Sequence, residues 1–140
     1  MANTVDNSFD ISDYITDAKA ESEGVWRSIG KDGKGRVREI KLARLNNDDY
    51  NSFLRRKQRA NQPVLEQQDD DAFKLAEDIN KEALARTIIK GLRVNGQEVP
   101  YTVELGLELL KNRDFHAKVN ALAGQMDAYK EHSEEDLGKS

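Results

Sequence analysis

The stretch Ala83-Leu84-Ala85-Arg86-Thr87-Ile88-Ile89-Lys90-Gly91-Leu92, continued by Val94-Asn95-Gly96-Gln97-Glu98-Val99-Pro100, decides the fold, because the longest helical pattern of the chain runs into its first half and a turn follows in its second. Upstream of it, Asp69-Asp70-Asp71 places negative charge where a helix dipole favours it. Phe73, Ala76, Ile79, Ala83, Leu84 and Ile88 then recur at three- and four-residue spacing. The spacing predicts a helix over about residues 70–91, closed by Gly91, although the run Ile88-Ile89 to Leu92 blurs that end. The Asn95-Gly96 pair then marks a turn with short extended flanks.

Working outward, Thr102 is placed to cap a third helix holding Val103, Leu105, Leu107, Leu109 and Leu110, apolar most of the way round and so expected at the centre of the fold. Asn112-Arg113-Asp114 recaps the chain. Phe115, Val119, Leu122, Met126 and Tyr129 follow in alternating steps of four and three, a narrow seam suited either to the core or to a partner's groove. Towards the N-terminus, Asn46-Asn47-Asp48-Asp49 starts a helix with Tyr50, Phe53, Leu54 and Ala60 on one face. The basic run Arg55-Arg56-Lys57-Gln58-Arg59 loads its C-terminal end, and Gln62-Pro63 stops it. Residues 62–68 read as a linker.

Before that helix, Val25-Trp26-Arg27-Ser28-Ile29, the turn Gly30-Lys31-Asp32-Gly33-Lys34-Gly35 and the stretch Val37 to Leu45 read as a β-hairpin. Ile40 and Leu42 share one face, and the imperfect alternation allows a bulge near Ala43. Two strands alone are marginal in water, so the hairpin must pack on something. The expected class is α+β, mostly α: an N-terminal β-hairpin followed by three to four amphipathic helices forming a small helical domain. An acidic, flexible arm (1–23) precedes a single domain (24–132), with the hairpin at 24–46 and helices at about 47–61, 70–91, 102–111 and 114–131. A polar tail (133–140) follows.

The 140 residues suit one domain, and a chain of that size buries about two thirds of its unfolded surface. The net charge of -4 hides a segregation. Residues 1–24 carry -5, residues 25–61 carry +7 and residues 62–140 carry -6, which makes either internal docking or a polarised partner surface plausible. There is no cysteine, which removes disulfides, thiolate chemistry and zinc–thiolate sites together. No apolar run approaches the roughly 20 residues that span a bilayer, and the N-terminus lacks the basic and apolar regions of a signal peptide. A cytosolic location is expected.

Catalytic, metal and cofactor chemistry find no support. His116 and His132 are the two histidines, and neither has a partner at metal-ligand spacing. The glycine-rich turn at 30–35 lacks the Gly-Lys-Ser/Thr ending of a phosphate loop and leads into strand instead of helix. Eleven Lys and Arg in residues 25–61, interleaved with Trp26, Tyr50 and Phe53, could track a phosphate backbone. They are split between a hairpin and a helix, however, in a chain that is acidic elsewhere. Protein binding is the better reading, through the basic strip Arg55, Arg56, Lys57 and Arg59 and the seam Phe115, Val119, Leu122 and Met126.

Four stretches, taken in order, resemble one family. They are Gly24-Val25-Trp26 with its turn and the return to Ile40-Lys41-Leu42-Ala43-Arg44-Leu45-Asn46-Asn47; Tyr50-Asn51-Ser52-Phe53-Leu54; Ala83 to Leu92 with Asn95-Gly96-Gln97-Glu98-Val99-Pro100-Tyr101-Thr102; and Leu109-Leu110-Lys111 leading to Asp114-Phe115. This arrangement resembles the small tail assembly chaperones of long-tailed bacteriophages. It departs from them at Leu92, where that family often has tryptophan, and the acidic arm lies outside the likeness. The resemblance implies a siphovirus protein with no chemistry of its own. Such a protein works in the host cytoplasm, coating the tape measure protein and assisting tail tube protein to polymerise around it, and is absent from the mature virion. It could also be a homo-oligomer. A structural virion component (a head–tail connector or minor tail protein) and a small nucleic-acid-binding regulator are the alternatives.

Overall fold

The computed structural model describes residues 10–130. The expectations for the first nine residues of the arm and for the 133–140 tail fall outside them. Four strands, β1 (Val25–Lys31), β2 (Val37–Leu42), β3 (Ile89–Val94) and β4 (Gln97–Val99), form one antiparallel sheet in the order β1-β2-β3-β4. Six helices accompany it: α1 (Ala18–Glu23), α2 (Asp48–Ala60), α3 (Gln62–Leu65), α4 (Asp70–Ala83), α5 (Val103–Leu110) and α6 (Arg113–Ala123).

The sheet corrects the expected architecture of one N-terminal hairpin followed by a helical domain. A second hairpin, inserted between α4 and α5, completes the sheet begun by the first. Helix α4 stops at Ala83, well short of residue 91. One wide, π-type turn, Leu84–Ile88, then turns the chain, and Ile89 is already extended (φ -76°, ψ 117°). The tertiary reason is pairing. Opposite β2, Ile89 meets Leu42 and Leu92 meets Ile40, and the Ala43 amide donates to the Ile88 carbonyl at 2.8 Å. The β-branched pair Ile88-Ile89 suits that strand better than another helical turn. The register slips between Lys41 and Leu42, close to the predicted bulge. Asn95 and Gly96 take φ of 49° and 79°, the left-handed pair that a tight hairpin turn needs, so the Asn-Gly signal closes β3 onto β4.

Strand alternation gives the sheet two unlike faces. Ile40 and Leu42 are fully buried in the core with Leu84, Ile88, Leu110 and Val119. On the opposite face, the Arg93 guanidinium lies 4.1 Å from the centre of the Trp26 ring and makes two hydrogen bonds to its cross-strand partner Glu39, at 2.8 and 2.9 Å. Those contacts hold the Glu39 carboxyl below its ordinary range, the hydrogen bond from Arg93 being the largest cause. Caps form where the sequence places them: Asn47 accepts from the Tyr50 amide, Asp69 from Ala72, Thr102 from Leu105 and Asn112 from Phe115. The expected linker contains α3, with Pro63 in its first turn, where a missing amide costs nothing.

The seam of α6 stops at Ala123. After Gly124 and Gln125, one 3-10 turn, Met126–Tyr129, carries the chain back to the sheet. There the buried Tyr129 hydroxyl donates to the Leu42 and Ala43 carbonyls at 3.0 and 3.3 Å. The described part of the acidic arm is tied to the same place. Thr16 bridges Lys130, the Asp17 amide donates to the Tyr129 carbonyl at 2.7 Å, and Arg44 donates to Glu21 at 2.7 Å.

Tyr101 locks α5 to the π-type turn: its hydroxyl donates to the Ala85 carbonyl at 2.6 Å, and burial pushes its pKa up to about 12. Gly106 makes this approach possible, because a Cβ there would overlap the Tyr101 hydroxyl and come within 3.2 Å of Ala85 Cβ. Gly106→Ala should therefore cost about 1–3 kcal/mol as an overpacking change. Tyr101→Phe should cost about 1 kcal/mol for the lost hydrogen bond. Urea unfolding followed by the fluorescence of Trp26, the only tryptophan, measures both. Equal stability of Gly106→Ala and the parent would refute the packing argument.

Candidate protein-binding surface

The two sets of predicted contact residues have different fates. Val119 and Leu122 are buried in the core cluster, Phe115 packs against it and Met126 is half-buried. The seam therefore faces inward and offers little to a partner in this conformation. The basic strip stays outside. Arg55, Arg56 and Arg59 are exposed, and Lys57 is half-buried. Arg56 and Lys57 lie 5.6 and 5.7 Å from the centre of the buried Phe53 ring, and Lys57 also reaches Glu82 at 3.7 Å. Among the described residues, Arg55, Arg56 and Arg59 make no ion pair, so their charge is available to an incoming group.

Beside this strip runs a groove of about 570 Å³ between α2, α3 and α4. Leu54, Leu65, Ala76 and Ile79 give it apolar walls, Gln58, Gln62 and Asn80 bring polar groups to it, and Arg59 and Glu66 bring one charge of each sign. Helical spacing places Arg55 one turn before Arg59 and Phe73 one turn before Ala76, so both rims continue the groove. Phe73, expected inside with the rest of its helix, is 63% exposed, because the inward stripe of α4 is Ala72, Ile79 and Ala83. An apolar trough beside a basic strip, with an aromatic at its lip, fits a helix-in-groove mode of recognition.

Asn80 is held in place from behind. Its Nδ2 donates to the Tyr50 hydroxyl at 2.7 Å, and its Oδ1 lies 3.3 Å from His116 Nε2. Since Oδ1 can only accept, the imidazole donates from Nε2 in this contact. Among the described residues, no cluster of three or more His, Asp or Glu side chains is arranged to hold a metal ion. No helix among them is long and apolar enough to cross a membrane.

A family model described as YdaY prophage protein matches residues 45–140, more than half of the chain. The chain belongs to the YdaY prophage protein family. It is thus phage-derived, and the matched segment contains the whole groove, all of α2 to α6 and the second hairpin, while the first hairpin lies outside it. No curated protein and no solved structure matches this YdaY-family chain.

Sequence reasoning found the basic strip and missed the groove beside it. The available signal was Val64-Leu65, two apolar residues inside a stretch otherwise polar enough to pass for a linker. Burial is the largest influence on His116 and lowers its pKa, with Lys81 adding to the effect. A depressed histidine pKa means that the unfolded chain takes up the proton first. Stability should therefore fall as pH drops below the ordinary value of 6.5 towards the folded one. Urea midpoints between pH 7.5 and 5.5 should decline in the parent and decline less in His116→Gln; parallel curves would show that His116 does not contribute.

Proposed function

We propose that this protein is a phage tail assembly chaperone that binds the tape measure protein, assists tail tube polymerisation around it and leaves before the virion matures. The observation that carries the reading is the open, partly apolar groove beside the exposed basic strip on a small phage protein. A tape measure protein is a long helix whose apolar stripe needs cover until the tube closes over it. A shallow trough suits that task, since tube subunits must later displace the chaperone, and displacement demands only modest affinity. The order of sequence stretches shared with tail assembly chaperones supports the same assignment. The reaction class is none: the protein acts by binding, in the cytoplasm of the host.

The test is co-expression with the tape measure and tail tube proteins of the same phage. A tape measure protein that precipitates alone should stay soluble and co-purify with this chain. Arg55→Glu with Arg59→Glu, both exposed, should abolish that rescue and leave the thermal midpoint within a few degrees. A tape measure protein that precipitates regardless would overturn the reading. Recovery of this chain in purified virions would favour a structural component instead.

A further inference from the structure

The turn between β3 and β4 holds a reactive pair. Asn95-Gly96 is the one Asn-Gly step in the sequence, and both residues are exposed to solvent. An asparagine followed by glycine can lose its side-chain amide to its own backbone. Base removes the Gly96 amide proton, and that nitrogen attacks Asn95 Cγ. A bond forms between Gly96 N and Cγ, the Cγ–Nδ2 bond breaks, and Nδ2 takes a proton from water and leaves as ammonia. Water then opens the cyclic imide at Cγ, which gives aspartate, or at the main-chain carbonyl, which gives isoaspartate. Glycine has no Cβ and leaves the attacking nitrogen unhindered. Motif and exposure alone would make Asn95 a site of rapid loss.

The folded geometry stops it. Asn95 has φ 49°, in the left-handed region, where ψ of a non-glycine residue is about +30 to +60°. At such a ψ the Gly96 nitrogen stands anti to Asn95 Cβ across the Cα–C bond, whereas ring closure needs the two nearly eclipsed. The side chain is fastened as well. Asn95 Oδ1 accepts from the Val37 amide at 2.9 Å, and the Asn95 amide donates to the Val37 carbonyl at 2.8 Å. The bond to Oδ1 draws electrons from Cγ, but polarisation does not help a nitrogen that cannot reach the carbon. Turning ψ would swing β4 off β3, where Val94 pairs with Gln97, and bringing Cγ round would break the bond from Val37.

We propose that Asn95 is a latent deamidation site, latched by Val37 of β2 and by the β3–β4 turn, and modified only when that end of the sheet opens. The two products differ in what they do to the latch. Aspartate keeps a side-chain oxygen for the Val37 amide, so the end closes again. Isoaspartate runs the main chain through Cβ and Cγ, which lengthens a turn of two residues and moves the free carboxylate to Cα. A chain carrying it cannot remake the latch. The site is separate from the groove and does not depend on how the groove is used.

Ageing of the full chain in mildly alkaline buffer, folded and unfolded in urea, tests this by peptide mass spectrometry with aspartate and isoaspartate products separated. Conversion at Asn95 should be at least about ten-fold slower in the folded chain. The slowing should also be no smaller than the hydrogen-exchange protection of the Val37 amide, because the opening that frees Cγ also exposes that amide. Asn95→Asp should retain Val37 protection, and the isoaspartyl fraction isolated from the aged protein and refolded should lose it. Equal conversion in folded and unfolded chain, or slowing smaller than the Val37 protection, would overturn the proposal. Loss of Val37 protection in Asn95→Asp, or its survival in the isoaspartyl fraction, would overturn the latch.

Discussion

Strand β2 is bonded on both edges, to β1 on one side and β3 on the other, and its inward residues Ile40 and Leu42 are fully buried. An isolated hairpin of this length would be marginal in water. The third strand supplies both the missing backbone partners and apolar contacts, through Ile89 and Leu92. Bringing β3 to that position requires the chain to leave α4 abruptly at Ala83, and the π-type turn performs that exit. The Thr87 hydroxyl, donating to the Ala83 carbonyl at 2.7 Å, and Tyr101, donating to the Ala85 carbonyl, occupy polar groups that the exit would otherwise leave poorly bonded. Once α4 ends there, its turns from Ala76 to Asn80 lie beside α2 and α3 and line the groove.

This dependence explains what could be read in the sequence and what could not. Capping chemistry is local, so Asn47, Asp69, Thr102 and Asn112 marked the starts of α2, α4, α5 and α6 correctly. The Asn95-Gly96 turn is local too, and it appears where its φ preference places it. The strand on its N-terminal side was obscured because Ala83 to Ile88 keeps a helical period up to the point of departure. Only the pairing with Leu42 and Ile40, about 50 residues away, decides between helix and strand there.

The same logic governs the surface. The basic strip was legible because charge repels burial, and Arg55, Arg56 and Arg59 are exposed. The seam from Phe115 to Met126 was equally visible as a pattern, but periodicity does not tell whether a stripe meets its own core or another protein. Val119 and Leu122 meet their own core. The groove arises from three helices that meet only in the folded chain, one of them just four residues long, and no single stretch announces it. Its apolar lining is unusual for a chain with 34% charged residues and leaves surface that a partner can cover.

Hydrogen exchange of the purified chain with and without the tape measure protein of the same phage, the partner proposed for it, probes the groove as the binding surface. Binding in the groove should bring new protection to the α2, α3 and α4 segments that line it, with the amides of β1 to β4 unchanged. Protection confined to the sheet, with residues 54–80 exchanging as in the free protein, would contradict it.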